Sequence, residues 1–435
     1  MKAAMAPDAF AKAVPTDAVG STESATLGQD FGAESVAVPP LVVVGFGIAF
    51  FALIFLQKIG VAGVDIAQIV LYGVLGLLMF SGRLLLGGTR LVLFSAFFAV
   101  SLFSQMICGA PFSPLSFVYL ISLYLPLIFE MRFSRAEWRG VVALFQNMML
   151  FAAGMVFVQI AYQLAFHWRV LSLEAFVPHA FLIPGFQYQA PVHWGQPLMR
   201  PNGFFLLEPS FISAFCATAL IFEASLFRRP LRLLWYGAAL VASTGVTGLV
   251  LLAFAAPLLL ARERAIVIIA VLAVGVIAVA ISFATGWSAV LTGRLGEFGN
   301  TSSSGFGRLV APVIQLNKLL ADPHLLITGI GAGNLLNAAQ SQSSSWPIVK
   351  LSAEYGFLTA IAFYALFIRS FAGAPEPALA FGLFMIYSVT GGYLLSPIFP
   401  LLIILVVSLP RIDDPRAPRR VVRLRPGESA ARVRD

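Results

Sequence analysis

The stretch RPNGFFLLEPSF, residues 200–211, places an arginine at the end of a polar segment and a glutamate within an apolar one. An ionised carboxylate is costly in hydrocarbon, so we expect Glu208 to face a polar cavity, pair with a cation or be protonated. Pro209 lacks a backbone donor and is expected to kink a helix at this point. Guanidinium groups bind phosphate oxygens in bidentate fashion, which makes Arg200 a candidate for binding an anion. The structural alternative is a buried Glu–Arg or Glu–Ser contact that only joins two helices.

A second group of chemically useful residues lies within residues 293–334. The spacing predicts a helix along the membrane surface, with Arg308, Gln315, Lys318 and Asp322 on one face. The apolar face would carry Leu309, Val310, Val313, Leu316 and Leu320. Like Arg200, Arg308 is a candidate for phosphate binding, and a lipid headgroup anchor is the alternative for each. The nearby GIGAGN, residues 329–334, lacks the third glycine of a dinucleotide fingerprint and predicts a tight backbone turn instead.

The composition places these residues in a membrane protein. Hydrophobic residues make up 59% of the 435-residue chain and charged residues 11%, and the mean hydropathy is +0.90. A soluble domain could not cover its surface with so little charge. Apolar stretches of roughly 17 to 25 residues, which can cross about 30 Å of hydrocarbon, recur along the chain, and we predict an all-α, polytopic integral membrane protein with about twelve transmembrane helices. The predicted spans are 41–57, 64–82, 90–108, 115–131, 141–166, 204–227, 231–244, 246–261, 265–284, 347–368, 378–394 and 397–409.

The distribution of basic residues predicts the orientation, because Lys and Arg in short loops are retained in the cytoplasm. With both termini inside, all but seven of the 28 basic residues lie on the cytoplasmic side. The seven are Lys58, Arg169, Arg200, Arg294, Arg308, Lys318 and Lys350. Six of them lie in or beside two long connections, about 167–203 and 285–346, which we predict to be periplasmic loops. Long loops on a scaffold usually carry function.

The two ends of the chain differ from the transmembrane domain, 41–409. Residues 1–40 are rich in small and acidic residues, which predicts a disordered cytoplasmic extension. Residues 410–435 contain eight arginines. This composition predicts a basic cytoplasmic tail that lies near anionic lipid headgroups. We expect no binding of nucleic acid by this tail.

The first long connection combines aromatic rings with hydrogen-bonding groups, a mixture suited to sugars. These residues are His167, Trp168, His179, Tyr188, His193, Trp194 and Arg200. The alternative for the aromatic residues is an interfacial belt. The histidine spacing is not a metal signature, so we expect no metal site. Cys108 and Cys216 lie within predicted helices, and no disulfide is expected.

Several of these segments together resemble the O-antigen polymerase and O-antigen ligase superfamily, whose members transfer undecaprenyl-diphosphate-linked glycans outside the cytoplasmic membrane. In the family's order they are RPNGFFLLEPSF, STGVTG at 243–248, GFGR at 305–308, GIGAGN, and LSAEYGFLTAIAFY at 351–364. The resemblance covers roughly residues 200–370. Ligases of the family carry a histidine just before the last of these helices, where this sequence has SQSSSWPIVK. The resemblance therefore favours a Wzy-type polymerase.

The resemblance implies glycosyl transfer without a nucleotide sugar, at the periplasmic face of the inner membrane, during synthesis of exopolysaccharide, capsule or O-antigen. Glu208, Arg308 and Arg200 are the implied catalytic residues. The implied substrate-binding residues are Arg294, His193, Trp194, Lys318 and Glu354. The implied partners are a lipid-linked glycan donor and acceptor, membrane lipids, and a flippase and chain-length regulator of the same pathway. No cofactor or metal is expected.

Two other functions stay open from the sequence. One is ligase-type transfer of a glycan to lipid A core. The other is secondary transport, in which intramembrane carboxylates such as Glu130, Glu208 and Glu354 would bind solute or protons. Transport does not require the large outer loops.

Overall fold

The protein's computed structural model describes residues 39–61, 64–109, 111–184, 186, 188–192, 197–261, 299, 306–335 and 345–412. The predicted extension 1–40 and tail 410–435 lie almost entirely outside these residues. The tail's first residues, Pro410–Ile412, form a short strand.

The described chain is mostly helical. Its first helices are α1 Pro40–Phe55, α2 Ile66–Phe80, α3 Gly88–Ile107, α4 Pro114–Tyr124, α5 Arg135–Ala165, α6 Pro209–Phe222, α7 Pro230–Ala242 and α8 Val246–Leu260. The later helices are α9 Ala311–Ala321, α10 Pro323–Thr328, α11 Pro347–Tyr355, α12 Phe357–Phe371, α13 Pro377–Val389 and α14 Ile398–Ile403. A 3-10 turn continues α4 to Ile128, and π-type turns continue α6 to Phe227 and α14 to Ser408.

Three of the described helices are long and apolar enough to cross a membrane: Gly88–Ile107, Arg135–Ala165 and Pro209–Phe227. Further apolar helices of 10–17 residues occupy most of the other predicted spans. The predicted span 265–284 lies outside the described residues, so the count of twelve stays a prediction.

The predicted span 347–368 is divided into two helices at Gly356. This residue has a φ of 79°, which is a conformation that favours glycine. A Cβ atom at Gly356 would stand 2.1 Å from the backbone oxygen of Ile327, so the chain also approaches too closely here for any side chain. The break therefore lets α10 pack against the junction of α11 and α12.

Two small sheets, which were not predicted, join the connections of this mostly helical chain. Strands β1 (Gly60–Val61) and β2 (Val64–Asp65) form a hairpin between α1 and α2. Strands β3 (Leu84–Leu86), β4 (Phe129–Phe133) and β5 (Pro410–Ile412) form a sheet in the order β3-β4-β5. Hydropathy does not distinguish such short apolar strands from the ends of apolar helices.

A buried arginine fixes the three-stranded sheet to the helices. Arg90, at the start of α3, is fully buried. Its Nε atom lies 3.1 Å from Glu130 Oε1, and its Nη1 donates to the backbone oxygens of Phe129 at 2.7 Å and Ser408 at 3.0 Å. Its Nη2 donates to Ser370 O at 3.2 Å. Arg90 thus joins the ends of α3, α4, α12 and α14.

The longest helix begins with a signal that is visible in the sequence. Ser134 accepts a hydrogen bond from Glu137 N, and the Glu137 carboxylate accepts one from Ser134 N at 2.7 Å. This reciprocal capping satisfies backbone donors at the start of α5. Glu137 also pairs with Arg83 at 3.0 Å, which fixes α5 to the connection after α2.

The core between α1, α5 and α6 is built from aromatic rings. Phe50 of α1 lies 5.2 Å from Phe145 of α5, and Phe145 lies 6.0 Å from Phe222 of α6. All three side chains are fully buried. This packing fixes α6, whose first residue follows Glu208.

Contacts between the connecting segments fall into two separate groups. One group joins the ends of α2, α4, α12 and α14 through the sheet β3-β4-β5. The other joins alternate connections: Ile59 to Leu182, Gln57 to Leu207, Ser113 to Ala332, Glu208 to Arg308, and Ser345 to Gly392. The described connections named here therefore lie in two groups, one at each of two ends of the helical bundle.

A helix, α9, occupies the predicted surface segment. A π-type turn, Phe306–Val310, precedes α9 and changes the angular position of Arg308 relative to α9. Within α9, Val313 and Leu320 of the predicted apolar face are exposed, as is Lys318 of the predicted polar face, whereas Leu319 is buried. Gln315, expected on the polar outer face, accepts a hydrogen bond from the Ser345 hydroxyl.

Candidate functional site

Glu208 lies immediately before α6 and not within a helix. It occupies the N-cap position with an extended backbone, φ −141° and ψ 162°, and Pro209 is the first helical residue. The expected kink at Pro209 is therefore wrong. Proline is favoured at the first helical position because the backbone donor that it lacks would have no partner there. Glu208 thus stands at the positive end of the α6 dipole.

The carboxylate of Glu208 pairs with Arg308, from the second long connection. Arg308 Nη2 lies 3.4 Å from Glu208 Oε2, and the Ser210 hydroxyl donates to the same oxygen at 3.2 Å. The side chains of Arg308 and Glu208 are 26% and 19% exposed, respectively. Of the three possibilities expected for Glu208, pairing with a cation is therefore present, and the contacts also match the structural alternative of a Glu–Arg or Glu–Ser contact; both charged side chains are partly exposed.

The backbone of Arg308 is held by a tryptophan. Trp346 Nε1 donates to Arg308 O at 2.9 Å. Trp346 immediately precedes α11, and the backbone oxygen of its neighbour Ser345 accepts from Gly392 N at 3.2 Å. The position of Arg308 is therefore coupled to the beginning of α11 and to the connection after α13.

The segment STGVTG packs directly against the start of α6. A Cβ atom at Gly245 would stand 2.5 Å from Pro209 O, and one at Gly248 would stand 2.2 Å from Ser213 O. Gly248 N donates to the Ser213 hydroxyl at 3.1 Å. Only glycine permits this close approach. The segment STGVTG therefore packs against the first turn of α6, which begins directly after Glu208.

Tyr393, in the connection between α13 and α14, lies beside the first turn of α6, with its ring centre 6.5 Å from that of Phe211. Its side chain is buried, and its ring lies 4.0 Å from the ring of Phe399. Burial raises the pKa of the Tyr393 hydroxyl, while Arg308 acts to lower it and Glu208 to raise it further. Tyr393 is therefore within electrostatic reach of both charged groups.

The polar part of RPNGFF is fixed by two glutamines, one helical turn apart on α5. Gln163 Nε2 donates to Met199 O at 3.0 Å, and its Oε1 accepts from Met199 N at 2.8 Å. Gln159 Nε2 donates to Asn202 Oδ1 at 3.0 Å. Arg200, between them, is half-buried, and its backbone N–H donates to Ala190 O at 2.8 Å. The sequence analysis missed these glutamines, although polar residues four apart in an apolar helix were a visible signal.

Glu354 is placed differently from the ion pair. Its fully buried carboxylate accepts from Leu335 N at 3.3 Å and lies 3.7 Å from Lys350 Nζ. Gln105 Oε1 accepts from Ala332 N at 2.7 Å, so two side chains hold the GIGAGN turn. The structure thus places Glu354 against the tight turn that was expected at residues 329–334.

The structure adds little about four other predicted site residues: Lys318, His193, Trp194 and Arg294. Lys318 is exposed on α9. His193, Trp194 and Arg294 lie outside the described residues. Within the part of the chain that is described, no group of three His, Cys, Asp or Glu side chains could hold a metal ion.

In this arrangement the Arg308 guanidinium can stabilise negative charge on a ligand, and the Glu208 carboxylate lies beside it. An arginine with an accessible side chain can bind phosphate oxygens, and the carboxylate that orients it can also accept a proton. The groups come from two connections that meet at the start of α6. No protein-family model matches the chain, and no curated protein matches it.

Proposed function

We propose that this protein polymerises undecaprenyl-diphosphate-linked oligosaccharide repeat units at the periplasmic face of a bacterial inner membrane. The observation that carries this proposal is the ion pair between Glu208 and Arg308, at 3.4 Å. It joins two of the segments on which the resemblance to the O-antigen polymerase and ligase superfamily rests. The product would be exopolysaccharide, capsule or O-antigen.

The arrangement of the connections supports a multi-pass topology with both termini in the cytoplasm. The connections and helix ends at one end of the bundle contain Arg83, Arg90, Arg132 and Arg411, and we assign this end to the cytoplasm. The connections at the other end contain Lys58, Arg200 and Arg308. The candidate site then lies at the outer end.

The proposed reaction needs no nucleotide sugar, because the donor already carries a good leaving group. A hydroxyl oxygen of the acceptor repeat forms a bond to the anomeric carbon of the donor glycan. The bond from that carbon to the diphosphate oxygen breaks, and undecaprenyl diphosphate leaves with the electron pair. The hydroxyl proton passes to a base.

Arg308 and Glu208 suit two of these requirements. Arg308 would stabilise the charge that develops on the departing diphosphate, since fixed cations are most effective where charge appears in the transition state. Glu208 would either orient Arg308 or accept the hydroxyl proton. Arg200, on the same connection as Glu208, is a further candidate for diphosphate binding. Lys318, Arg294, His193, Trp194 and Glu354 stay proposed substrate-binding residues.

A deletion strain tests the proposed function. We expect loss of long polymer while single lipid-linked repeats are still made, with a flippase and a chain-length regulator of the same pathway intact. Polymer that is made but not attached to lipid A core would indicate a ligase instead. Unaltered glycans with altered solute uptake would indicate a transporter.

A further inference from the structure

A buried lysine lies outside the site described above, in the connection between α1 and α2. Lys58 is fully buried, with Nζ 3.7 Å from Glu174 Oε2 and 3.2 Å from the Ser172 hydroxyl. Its Nζ also lies 5.4 Å from the centre of the Tyr188 ring. Burial lowers the pKa of Lys58 to about 8, and Glu174 acts in the opposite direction. Because a buried charge needs a partner, Lys58 fixes the position of the Glu174 carboxylate.

A cavity of about 330 Å³ lies against this carboxylate. Its volume falls within the roughly 300–1,000 Å³ of small-molecule sites. Glu174, His179 and Tyr188 supply polar groups and an aromatic ring. The other lining residues in the described part of the chain are apolar: Leu182, Ile183 and Pro184.

The chemistry of the wall favours a neutral ligand with many hydroxyl groups. The charges of Lys58 and Glu174 offset each other, so the cavity does not select an ion by charge. Glu174 Oε1 already accepts a hydrogen bond from Gln189 Nε2, and its further lone pair can accept one from a hydroxyl; the His179 imidazole can donate or accept one. The apolar wall and the Tyr188 ring suit the C–H face of a sugar ring.

The cavity is joined to the candidate site by hydrogen bonds. Asn202 Nδ2 donates to Tyr188 O at 3.0 Å, and Leu207 N donates to Gln57 Oε1 at 3.3 Å. Residues 202–208 thus run from the wall of the cavity to Glu208. A glycan attached to a diphosphate at Arg308 would extend along this connection.

We propose that this cavity is a binding site for a neutral sugar unit of the glycan. This proposal rests on the proposed function, because that function is what brings the glycan beside the cavity. The sugar binds through hydrogen bonds to Glu174 and His179, with its ring against Tyr188 and the apolar wall. The cavity thereby binds the glycan chain at a place away from the glycosidic bond that reacts.

Binding of soluble oligosaccharides to the purified full-length protein in lipid nanodiscs tests this site. The probes are oligosaccharides of one to three repeats, released by partial acid hydrolysis of the polysaccharide of the strain that carries the gene. His179→Ala removes an exposed imidazole from the cavity wall, and Leu182→Trp fills the cavity. The matched control is His324→Ala, an exposed histidine on α10. Glu174 is not replaced, because this would leave Lys58 buried without its carboxylate.

We expect the wild type to bind and both cavity variants to bind at least tenfold more weakly, as measured by calorimetry. The His324→Ala protein should bind like the wild type. If the wild type does not bind, or if the His179→Ala protein binds as tightly as the wild type, the inference is wrong. The result for His179→Ala decides the matter if Leu182→Trp lowers the yield of folded protein.

The Arg308→Ala variant separates this inference from the proposed function. We expect it to bind the soluble oligosaccharides normally and to form no polymer. Polymer of normal length in the deletion strain would overturn the polymerase function, while the binding results would still decide whether the cavity holds a sugar. If the deletion strain loses its polymer but all variants bind the soluble oligosaccharides equally, only the cavity site is overturned.

Discussion

Glu208 and Arg308 lie a hundred residues apart in the sequence, and their side chains meet at 3.4 Å at the start of α6. Three other segments converge there: the tryptophan before α11 bonds to the backbone of Arg308, two glycines of STGVTG approach α6, and Tyr393 lies within reach of both charges. This convergence distinguishes the pair from an isolated surface ion pair, which contributes little to stability.

Replacing Arg308 is expected to abolish polymer while leaving the protein in the membrane. Removing one transition-state electrostatic contact typically lowers a rate on the order of 100-fold or more. Arg308→Lys should not restore full activity, because an ammonium does not bind two phosphate oxygens in a fixed fork. Glycan length on gels, normalised to protein level, measures the effect. Arg135→Ala, an exposed arginine at the start of α5, serves as the control, and normal polymer from Arg308→Ala would make Arg308 a lipid anchor.

Glu208→Gln tests whether the charge of the carboxylate is needed. Glutamine keeps the shape and an acceptor for the Ser210 hydroxyl, so we expect normal protein abundance and lost transfer. A purely structural joint would instead tolerate glutamine, and Glu208→Leu would mainly lower protein abundance. Immunoblots and glycan gels of the same cultures distinguish these outcomes.

The close approach of Gly248 to α6 predicts a structural defect on substitution. A Cβ atom there would stand 2.2 Å from Ser213 O, so Gly248→Ala must displace backbone. Overpacking of this kind typically costs about 1–3 kcal/mol. Gly76→Ala on α2 is the matched control, because a Cβ atom at Gly76 meets nothing within 4 Å. We expect a lower thermal midpoint in detergent for Gly248→Ala alone, and equal midpoints would contradict the packing described here.

Asp65, in strand β2 just before α2, predicts a pH-dependent stability. Burial raises its pKa from 3.8 to about 7, so the folded protein binds this proton more tightly than the unfolded chain. The resulting stability is present at low pH and is lost as the pH rises from 3.8 to about 7, by up to about 1.4 kcal/mol per pH unit. Asp65→Asn keeps a side-chain acceptor for Ala67 N and should remove this dependence. Thermal unfolding at pH 5 and pH 7.5 measures it, and equal pH slopes for both proteins would refute the assignment.

The sequence predicted most helix positions, because long apolar segments leave few alternatives. It also singled out Glu208 and Arg308 by their residue types. It did not predict which arginine meets Glu208 at 3.4 Å, since that contact depends on how distant connections fold together. The position of Glu208 before α6 could have been predicted, because proline favours the first helical position over the interior.

The supporting contacts were harder to predict. Trp346 acts through its indole N–H on a backbone oxygen 38 residues away, and no local pattern marks such a partner. The sheet β3-β4-β5 joins three segments that the sequence analysis assigned to a short connection, to the end of a helix and to the tail. The π-type turn before α9 changes the angular position of Arg308 relative to α9, and a regular helical repeat does not anticipate it.

Reconstitution tests the central claim most directly. The purified protein is placed in liposomes with undecaprenyl-diphosphate-linked repeat units as the only glycan, without nucleotide sugars, and lipid-linked products are separated by size over time. The account predicts that the wild type converts single repeats into a ladder of longer chains and releases undecaprenyl diphosphate, and that Arg308→Ala does neither. Single repeats that persist unchanged with the folded wild-type protein, or an equal ladder from Arg308→Ala, would contradict it.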